Sequence, residues 1–237
     1  MQLVLGMTCC ARTDGSRRYD YTKAAITSLR DTGGFNEPLV LYCEPGDIPV
    51  PNSKTYNFTE VRNASVLGCF QNWRAGLTDL LQRYPDAAAY MMLQDDSVWT
   101  ADAAQRVRAA LEADWFPTCG FISPYTSPAM VPRKLRYRRS AASESWVDAN
   151  FFNKSFWGAV AVCLPRASAE YLLQASRFAH HDHARKLDVV IGNVFRDADK
   201  RMMVSVPSLC DHIGAFSSLG RHKFRSIQWG RRGFQFR

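Results

Sequence analysis

Short apolar runs alternate with longer amphipathic stretches along this chain. The apolar runs have the length of buried strands and are too short for buried helices. They predict strands at residues 2–8, 38–43, 90–93, 119–123, 156–164 and 202–206. The amphipathic stretches have the spacing of helices with one buried face. They predict helices at residues 19–30, 68–84, 101–113, 166–178 and 187–195.

The order of these elements predicts the fold class. Strands and helices alternate over residues 1–100, which is typical of an α/β sheet with right-handed crossovers. We therefore expect a Rossmann-like mixed central sheet flanked by helices. The chain has no internal repeat and no low-complexity linker, so we expect a single domain. The segments at 56–67 and 207–220 are predicted to be irregular, the first with a possible short strand.

One apolar run ends abruptly in acidic residues. Residues 90–93 read as a buried strand, and Gln94, Asp95 and Asp96 follow at once. Adjacent carboxylates at the mouth of a strand repel each other and lose hydration, so a hard divalent cation is the obvious partner. In open α/β sheets, ligands bind outside the carboxyl ends of the strands. The alternative is a solvated turn in which Asp96 or Ser97 caps the next element.

Composition and charge narrow the class of protein. The chain has 237 residues, 46% of them hydrophobic, which is enough for a sizeable core. No stretch of the sequence is long enough to span a membrane, and its start is predicted to be a strand and not a signal peptide. Its seven cysteines lack the spacing of a metal site. We therefore expect a cytoplasmic protein with reduced thiols. The net charge of +8 suits a polyanionic partner, although solubility alone also explains it.

Four features follow one another along the sequence in a recognisable order. They are the triplet Gln94–Asp95–Asp96, the pair Trp157–Gly158, the helix opening at Asp188, and the segment PSLCDHIGAFSSLG at 207–220. This order resembles the GT-A fold of nucleotide-sugar-dependent glycosyltransferases, and the last segment is similar to the Pro…His-x-Gly…Ser-Ser segment of several families in that superfamily. The resemblance spans most of residues 1–220 as scattered short motifs. Gln94 departs from the pattern, which usually begins with an acid.

The resemblance implies a set of metal and catalytic residues. Asp96 and His212 would bind Mn²⁺ or Mg²⁺, and Asp188 would be the general base that deprotonates the acceptor hydroxyl. The bottom-up alternatives stay open: His212 as a half-buried core histidine, and Asp188 as an acid that favours a helix N-terminus. A histidine-rich stretch at 180–183 lacks the usual zinc spacing, and we interpret it as a solvated loop.

The resemblance also implies residues that bind a UDP-type sugar donor. Gln94 would hydrogen-bond a ribose hydroxyl, and the Trp157–Gly158 pair would line the donor sugar, with Gly158 permitting a close backbone approach. The remaining predicted donor contacts lie after the first strand, on the helix before the acidic strand, beside the metal, and near the C-terminus. They are Thr8, Arg12, Asn72, Asp95, Ser217, Ser218, Arg221 and Lys223. Each of them also has an ordinary interpretation as loop, core or surface.

The predicted activity is a metal-dependent, inverting sugar transfer. Residues 1–220 would form the catalytic domain, with a nucleotide-binding half at 1–100 and an acceptor half at 101–220, and 221–237 would be a basic, aromatic tail. Basic residues concentrate at 133–139 and in this tail, where aromatic residues interleave with them. Such patches suit phosphate contacts and base stacking.

The acceptor has several interpretations. We favour a hydroxymethylated base in DNA, as some phage enzymes modify, which would have to be flipped out of the stack. A bacterial surface glycan or a lipid-linked sugar is the alternative, in which the basic residues would meet anionic lipids. Two other classes of protein also fit the sequence. A metal-dependent nuclease would cut plasmid DNA in the presence of Mg²⁺. A non-catalytic nucleic-acid-binding module would keep its activity with alanine at both Asp95 and Asp96.

Overall fold

In the computed structural model, the chain forms a mixed β-sheet with helices on both faces. The structure describes residues 1–11, 20–126, 145–149, 156, 158–180 and 186–213. The strands are β1 Leu3–Cys9, β2 Leu39–Cys43, β3 Phe58–Arg62, β4 Ala89–Gln94, β5 Ser97–Trp99, β6 Phe121–Ser123, β7 Ser145–Asp148, β8 Ala161–Pro165, β9 Met202–Val206 and β10 Cys210–His212. The α-helices are α1 Tyr21–Thr27, α2 Ser53–Tyr56, α3 Gly68–Arg83, α4 Ala103–Leu111, α5 Arg166–Gln174, α6 Ser176–Ala179 and α7 Leu187–Asp197. A π-helical turn, Ser28–Thr32, continues α1, and a 3₁₀ turn, Phe116–Thr118, precedes β6.

The main sheet has eight strands in the order β3-β2-β1-β4-β8-β6-β9-β7. Parallel pairing joins β1 to β2 and β4, β2 to β3, and β6 to β9, whereas β8 runs antiparallel to both β4 and β6, and β7 runs antiparallel to β9. A separate two-stranded sheet pairs β5 with β10. The predicted α/β fold with a mixed, helix-flanked central sheet is therefore confirmed.

Side-chain alternation along β1 and β4 divides the core into two layers. Met7 and Leu93 lie in one layer with α1, α4 and the π-helical turn, whereas Val4 and Met92 lie in the other with α3, α5 and α7. Strands buried on both faces read as continuous apolar runs, which is why the sequence identified β1 and β4 from run length alone. None of the helices that the structure describes has the length and apolarity that crossing a membrane requires.

Several predicted bounds are wrong for identifiable reasons. The strand predicted at 156–164 begins only at Ala161, because Gly158 has a φ of +131° and a turn follows it. The helix predicted at 166–178 is interrupted at Ala175, whose ψ of 122° is extended, so that α5 and α6 are separate helices. The loop predicted at 207–220 contains β10, and the basic loop predicted from 127 ends in β7.

Candidate functional site

The carboxyl ends of β1 and β4 lie side by side at one edge of the sheet. Thr8 is in register with Gln94, and the chain order reverses here, because β2 and β3 extend from β1 in one direction and β4 lies on its other side. A crevice outside the strand ends at such a switch point is where doubly wound sheets bind their ligands. The Thr8 hydroxyl donates to the Leu93 carbonyl oxygen at 3.3 Å, which fastens the two strands together.

Asp95 joins the two strand ends through its carboxylate. Its Oδ2 accepts from the Cys10 backbone N–H at 3.0 Å and from the Thr22 hydroxyl at 3.4 Å. The residue is 2% exposed, and so is Asp96. The alternative of a solvated turn is therefore wrong for both carboxylates. Asp95 anchors the chain after β1 and the first turn of α1 to the end of β4, so it shapes the crevice.

Asp96 and His212 are in direct contact. The Asp96 Oδ2 lies 2.9 Å from the His212 Nε2, and the histidine side chain is 34% exposed, which leaves it accessible from the crevice. The contact depends on the small sheet, in which His212 pairs with Ser97. The Ile213 N–H donates to the Asp96 carbonyl oxygen at 2.8 Å and extends this pairing by one residue. Residues 210–213 are thus held beside the acidic triplet.

The donor atoms of this pair fit a hard divalent cation. Neighbouring ligands of an octahedral ion with bonds of about 2.1 Å lie about 3.0 Å apart. Within the part of the chain that the structure describes, no cluster of three or more His, Cys, Asp or Glu side chains could hold a metal ion. Mg²⁺ sites commonly use one or two carboxylates and complete their coordination with substrate phosphates and water. A simple hydrogen bond between imidazole and carboxylate explains the same distance, and experiment can separate the two.

Asp188 lies in the first turn of α7, beside the turn that leads into β8. Its Oδ2 accepts from the Gly158 N–H at 3.1 Å, and its Oδ1 accepts from the Val189 N–H at 2.9 Å. Burial raises the pKa of this carboxyl above its ordinary value, and the two backbone donors oppose the rise. The side chain therefore has the fixed orientation and the raised basicity that a general base needs.

The Cys69 thiol lies within electrostatic range of Asp188 and of the Asp95–Asp96 pair. Burial raises its pKa to about 11, and the nearby charges of Cys10, Asp96, Asp188 and Asp95 add to the rise. Asp188 comes from the α7 side of the sheet, and the Asp95–Asp96 pair follows β4. Because all of them act on one thiol in the first turn of α3, they belong to one electrostatic neighbourhood at the same edge of the sheet.

Asn72 lies farther along this edge, and its side chain is hydrogen-bonded to other residues of the protein. It is 2% exposed, its amide donates to the Tyr42 carbonyl oxygen at 2.9 Å, and its Oδ1 accepts from Asn63 at 3.0 Å. Gln94 is half-buried, and its backbone N–H bonds the Val160 carbonyl oxygen at 2.9 Å. The structure therefore brings Thr8, Gln94, Asp95, Asp96 and His212 together, places Gly158 and Asp188 beside them, and shows Asn72 in a bracing position.

The other predicted contacts lie outside the described residues. They are Arg12, Trp157, Ser217, Ser218, Arg221 and Lys223, together with the basic patches at 133–139 and 221–237. The sequence reasoning also missed two residues at this edge. Glu44 is 6% exposed and accepts from the N–H groups of Leu67 and Gly68 at 2.9 Å each, and Tyr125 packs against Gly158. Their positions directly after predicted strands were the available signal.

A scan of protein-family models finds no family that matches this chain, and a search of curated proteins finds no relative of it. The function must therefore be argued from the residues and the geometry.

Proposed function

We propose that this protein is a metal-dependent, inverting glycosyltransferase of the GT-A type, which moves a sugar from a UDP-type nucleotide sugar to an acceptor hydroxyl. The observation that carries the proposal is the 2.9 Å contact between Asp96 Oδ2 and His212 Nε2. These residues lie far apart in the sequence, and the resemblance in the sequence assigns both to one metal. Their meeting at the end of a central strand is what that assignment requires.

The topology supports the donor half of the proposal. The order β3-β2-β1-β4 matches the start of the doubly wound order 3-2-1-4-5-6, in which strands 3-2-1 belong to one nucleotide-binding half and the switch point lies between β1 and β4. Asp96 follows β4 and therefore lies at the carboxyl-end edge of the sheet, next to the switch point where such sheets bind their ligands. Asp96 and His212 would hold Mn²⁺ or Mg²⁺ there. The bound ion would offset the negative charge of the departing diphosphate.

Asp188 supports the acceptor half of the proposal. In the reaction, the acceptor oxygen forms a bond to the anomeric carbon while the bond from that carbon to the diphosphate breaks. The acceptor proton passes to the Asp188 carboxylate, and UDP leaves. Two backbone N–H groups fix the carboxylate, and each oxygen keeps a lone pair to accept this proton. Attack opposite the leaving group inverts the anomeric centre.

For the acceptor, we propose a hydroxymethylated base in DNA. The support is the net charge of +8, with basic residues concentrated at 133–139 and 221–237, where the second patch also carries aromatic residues. A gel shift with duplex DNA across a salt series tests this part. Binding that weakens steeply as salt rises is the expected result, because phosphate contacts release counterions. If the protein does not bind DNA at low salt, DNA is excluded as the acceptor, and a surface glycan or a lipid-linked sugar is favoured.

The donor chemistry is tested with a matched pair of variants. Asp96 lies in the turn after β4, and Asp86 is an exposed carboxylate before the same strand begins. We expect wild-type protein with Mn²⁺ to hydrolyse or transfer from at least one UDP-sugar, releasing UDP. Asp96→Ala should reduce that release more than about a thousandfold, and Asp86→Ala should leave it unchanged. Release that persists in Asp96→Ala with chelator present would exclude the proposed metal role.

A further inference from the structure

Tyr125 lies between the two halves of the candidate site. Its ring packs on Gly158, since a Cβ built at that glycine would lie 2.5 Å from the tyrosine Cδ1. The N–H of the same glycine donates to Asp188. The charges of Asp211 and Asp96 also act on the phenol. The side chain thus packs against the turn that holds the carboxylate beside α7 and lies within electrostatic range of the carboxylate after β4.

The backbone around Tyr125 is held firmly in place. The Ser123 hydroxyl donates to the Tyr125 carbonyl oxygen at 2.8 Å, and the Thr126 N–H donates to the Ser208 hydroxyl at 3.1 Å. The Leu209 N–H donates to the Pro124 carbonyl oxygen at 2.8 Å. These bonds tie the segment after β6 to the segment before β10. The position of the ring is therefore set by the framework before any ligand binds.

The Tyr125 hydroxyl has an unused hydrogen-bonding capacity. Within the described part of the chain it makes no hydrogen bond, although the ring is half-buried. Burial, followed by the neighbouring Cys210, Asp211 and Asp96, raises the pKa of the phenol to about 12, so the group stays protonated at neutral pH. A donor on a fixed backbone, half-buried beside the candidate site and without a hydrogen-bond partner among the described residues, suits a ligand rich in hydroxyl oxygens.

We propose that Tyr125 is a substrate-contacting residue that packs beside the transferred sugar of the nucleotide-sugar donor and donates a hydrogen bond to one of its hydroxyl groups. The proposal rests on the proposed function. In that reaction the sugar must lie between the diphosphate at Asp96 and the acceptor at Asp188, because its anomeric carbon is bonded first to a diphosphate oxygen and then to the acceptor oxygen that Asp188 deprotonates. Tyr125 packs against the turn that holds Asp188 and lies within electrostatic range of Asp96.

The test compares the binding of UDP with the binding of UDP-sugars. Wild type, Tyr125→Phe and Tyr171→Phe are titrated calorimetrically in Mn²⁺ with UDP and with UDP-glucose, UDP-galactose and UDP-N-acetylglucosamine. Tyr171 lies on α5 and is 41% exposed, so its variant is a matched control for loss of a hydroxyl. The phenylalanine variant keeps the ring against Gly158, and its melting temperature should match that of wild type.

Tyr125→Phe should leave the Kd of UDP within about twofold of wild type and raise the Kd of the preferred UDP-sugar by about threefold to tenfold, as expected for one hydrogen bond. Tyr171→Phe should change neither. If wild type binds UDP and Tyr125→Phe binds the sugar donor as wild type does, the tyrosine assignment is wrong and the proposed function stands. An equal loss for UDP and UDP-sugar also overturns the assignment. If wild type binds none of these ligands, both proposals fall.

Discussion

The Gly158 backbone N–H donates to the Asp188 carboxylate at 3.1 Å, which joins the turn before β8 to the first turn of α7. A helix start and a strand start thereby become one unit at the edge of the sheet. The unit fixes the orientation of an acid whose pKa is raised by burial. Both consequences bear on the proposed role of Asp188, and they lead to a prediction about pH.

Activity should depend on pH through Asp188. A general base works only when it is ionised, and burial raises the pKa of this carboxyl above its ordinary value of 3.8. The rate should therefore fall as the solution is acidified, with a midpoint above 3.8. Asp188→Asn keeps an oxygen that can accept a backbone N–H, yet it should lower kcat by about 10²–10⁴ and abolish this acidic limb.

The measurement is a kcat/KM profile from pH 4 to 8 at saturating Mn²⁺ for wild type and Asp188→Asn. Asp197→Asn is the control, because that carboxylate lies at the end of the same helix in an exposed pair with Arg177. Wild-type activity that stays constant throughout this range would contradict the assignment of Asp188 as the base.

Gly158 should resist substitution more strongly than another glycine of similar backbone conformation. Its φ is +131°, and a Cβ would collide with the Tyr125 ring, whereas Gly68 has a φ of +77° and nothing within 4 Å of a Cβ. In both alanine variants the positive φ costs about 1–3 kcal/mol of backbone strain. Only in Gly158→Ala does the new Cβ also clash with a neighbouring side chain. Urea denaturation should show that Gly158→Ala loses more free energy of unfolding than Gly68→Ala. Equal losses would mean that the ring moves aside freely.

Glu44 should stabilise the fold by bonding the start of α3. Its two carboxylate oxygens accept from the N–H groups of Leu67 and Gly68, and the residue is buried. Glu44→Gln replaces one acceptor with an NH₂ group that faces an N–H donor, so one buried donor loses its partner. We expect a loss of about 1–3 kcal/mol in the free energy of unfolding.

The control for this prediction is Glu60→Gln on β3. That glutamate is exposed and pairs only with Arg62 among the described residues, so its loss should cost less than about 1 kcal/mol. Chemical denaturation of both variants measures the difference. A Glu44→Gln protein as stable as Glu60→Gln would show that water replaces the carboxylate at the helix start.

The elements that could be predicted from the sequence are those whose hydrophobic pattern follows directly from their burial in the core. The strands β1, β4 and β9 are mostly apolar and almost entirely buried, and α3 has a regular apolar stripe, so run length and spacing were sufficient. The edge strand β7 has only two apolar residues, Trp146 and Val147, and follows a basic segment, so it has no apolar run or alternation long enough to predict its pairing with β9. Ala175 interrupts a helix without a glycine or proline to signal the break.

The candidate site was predictable only in part. Polar residues at the end of one strand pointed to the edge of the sheet, which accounts for Gln94 and Asp96, whereas Thr8 came from the resemblance. No periodicity could pair β5 with β10, because each is three residues long and their contact is set by the tertiary fold. The association of His212 with Asp96 came from the resemblance alone, and the bracing role of Asn72 is visible only in its side-chain contacts.

His212 should control the affinity for metal, and this prediction separates a metal ligand from a simple hydrogen-bonding partner. If His212 is a ligand, His212→Ala removes one of two protein donors and should raise the half-saturating Mn²⁺ concentration by at least tenfold. Activity should recover in part at high Mn²⁺, because Asp96 and the donor diphosphate still hold the ion. Chelator should abolish wild-type activity, and added Mn²⁺ should restore it.

The measurement pairs Mn²⁺ titrations of UDP release with electron paramagnetic resonance of bound Mn²⁺ in the presence of UDP. Cys210→Ser is a suitable control, since it alters the same short strand without changing a proposed ligand. Because the thiol is buried, we expect a modest loss of stability, and the melting temperature is recorded for both variants. A His212→Ala protein with unchanged Mn²⁺ dependence would reduce the 2.9 Å contact to an internal hydrogen bond. The metal would then have to be bound elsewhere or be dispensable.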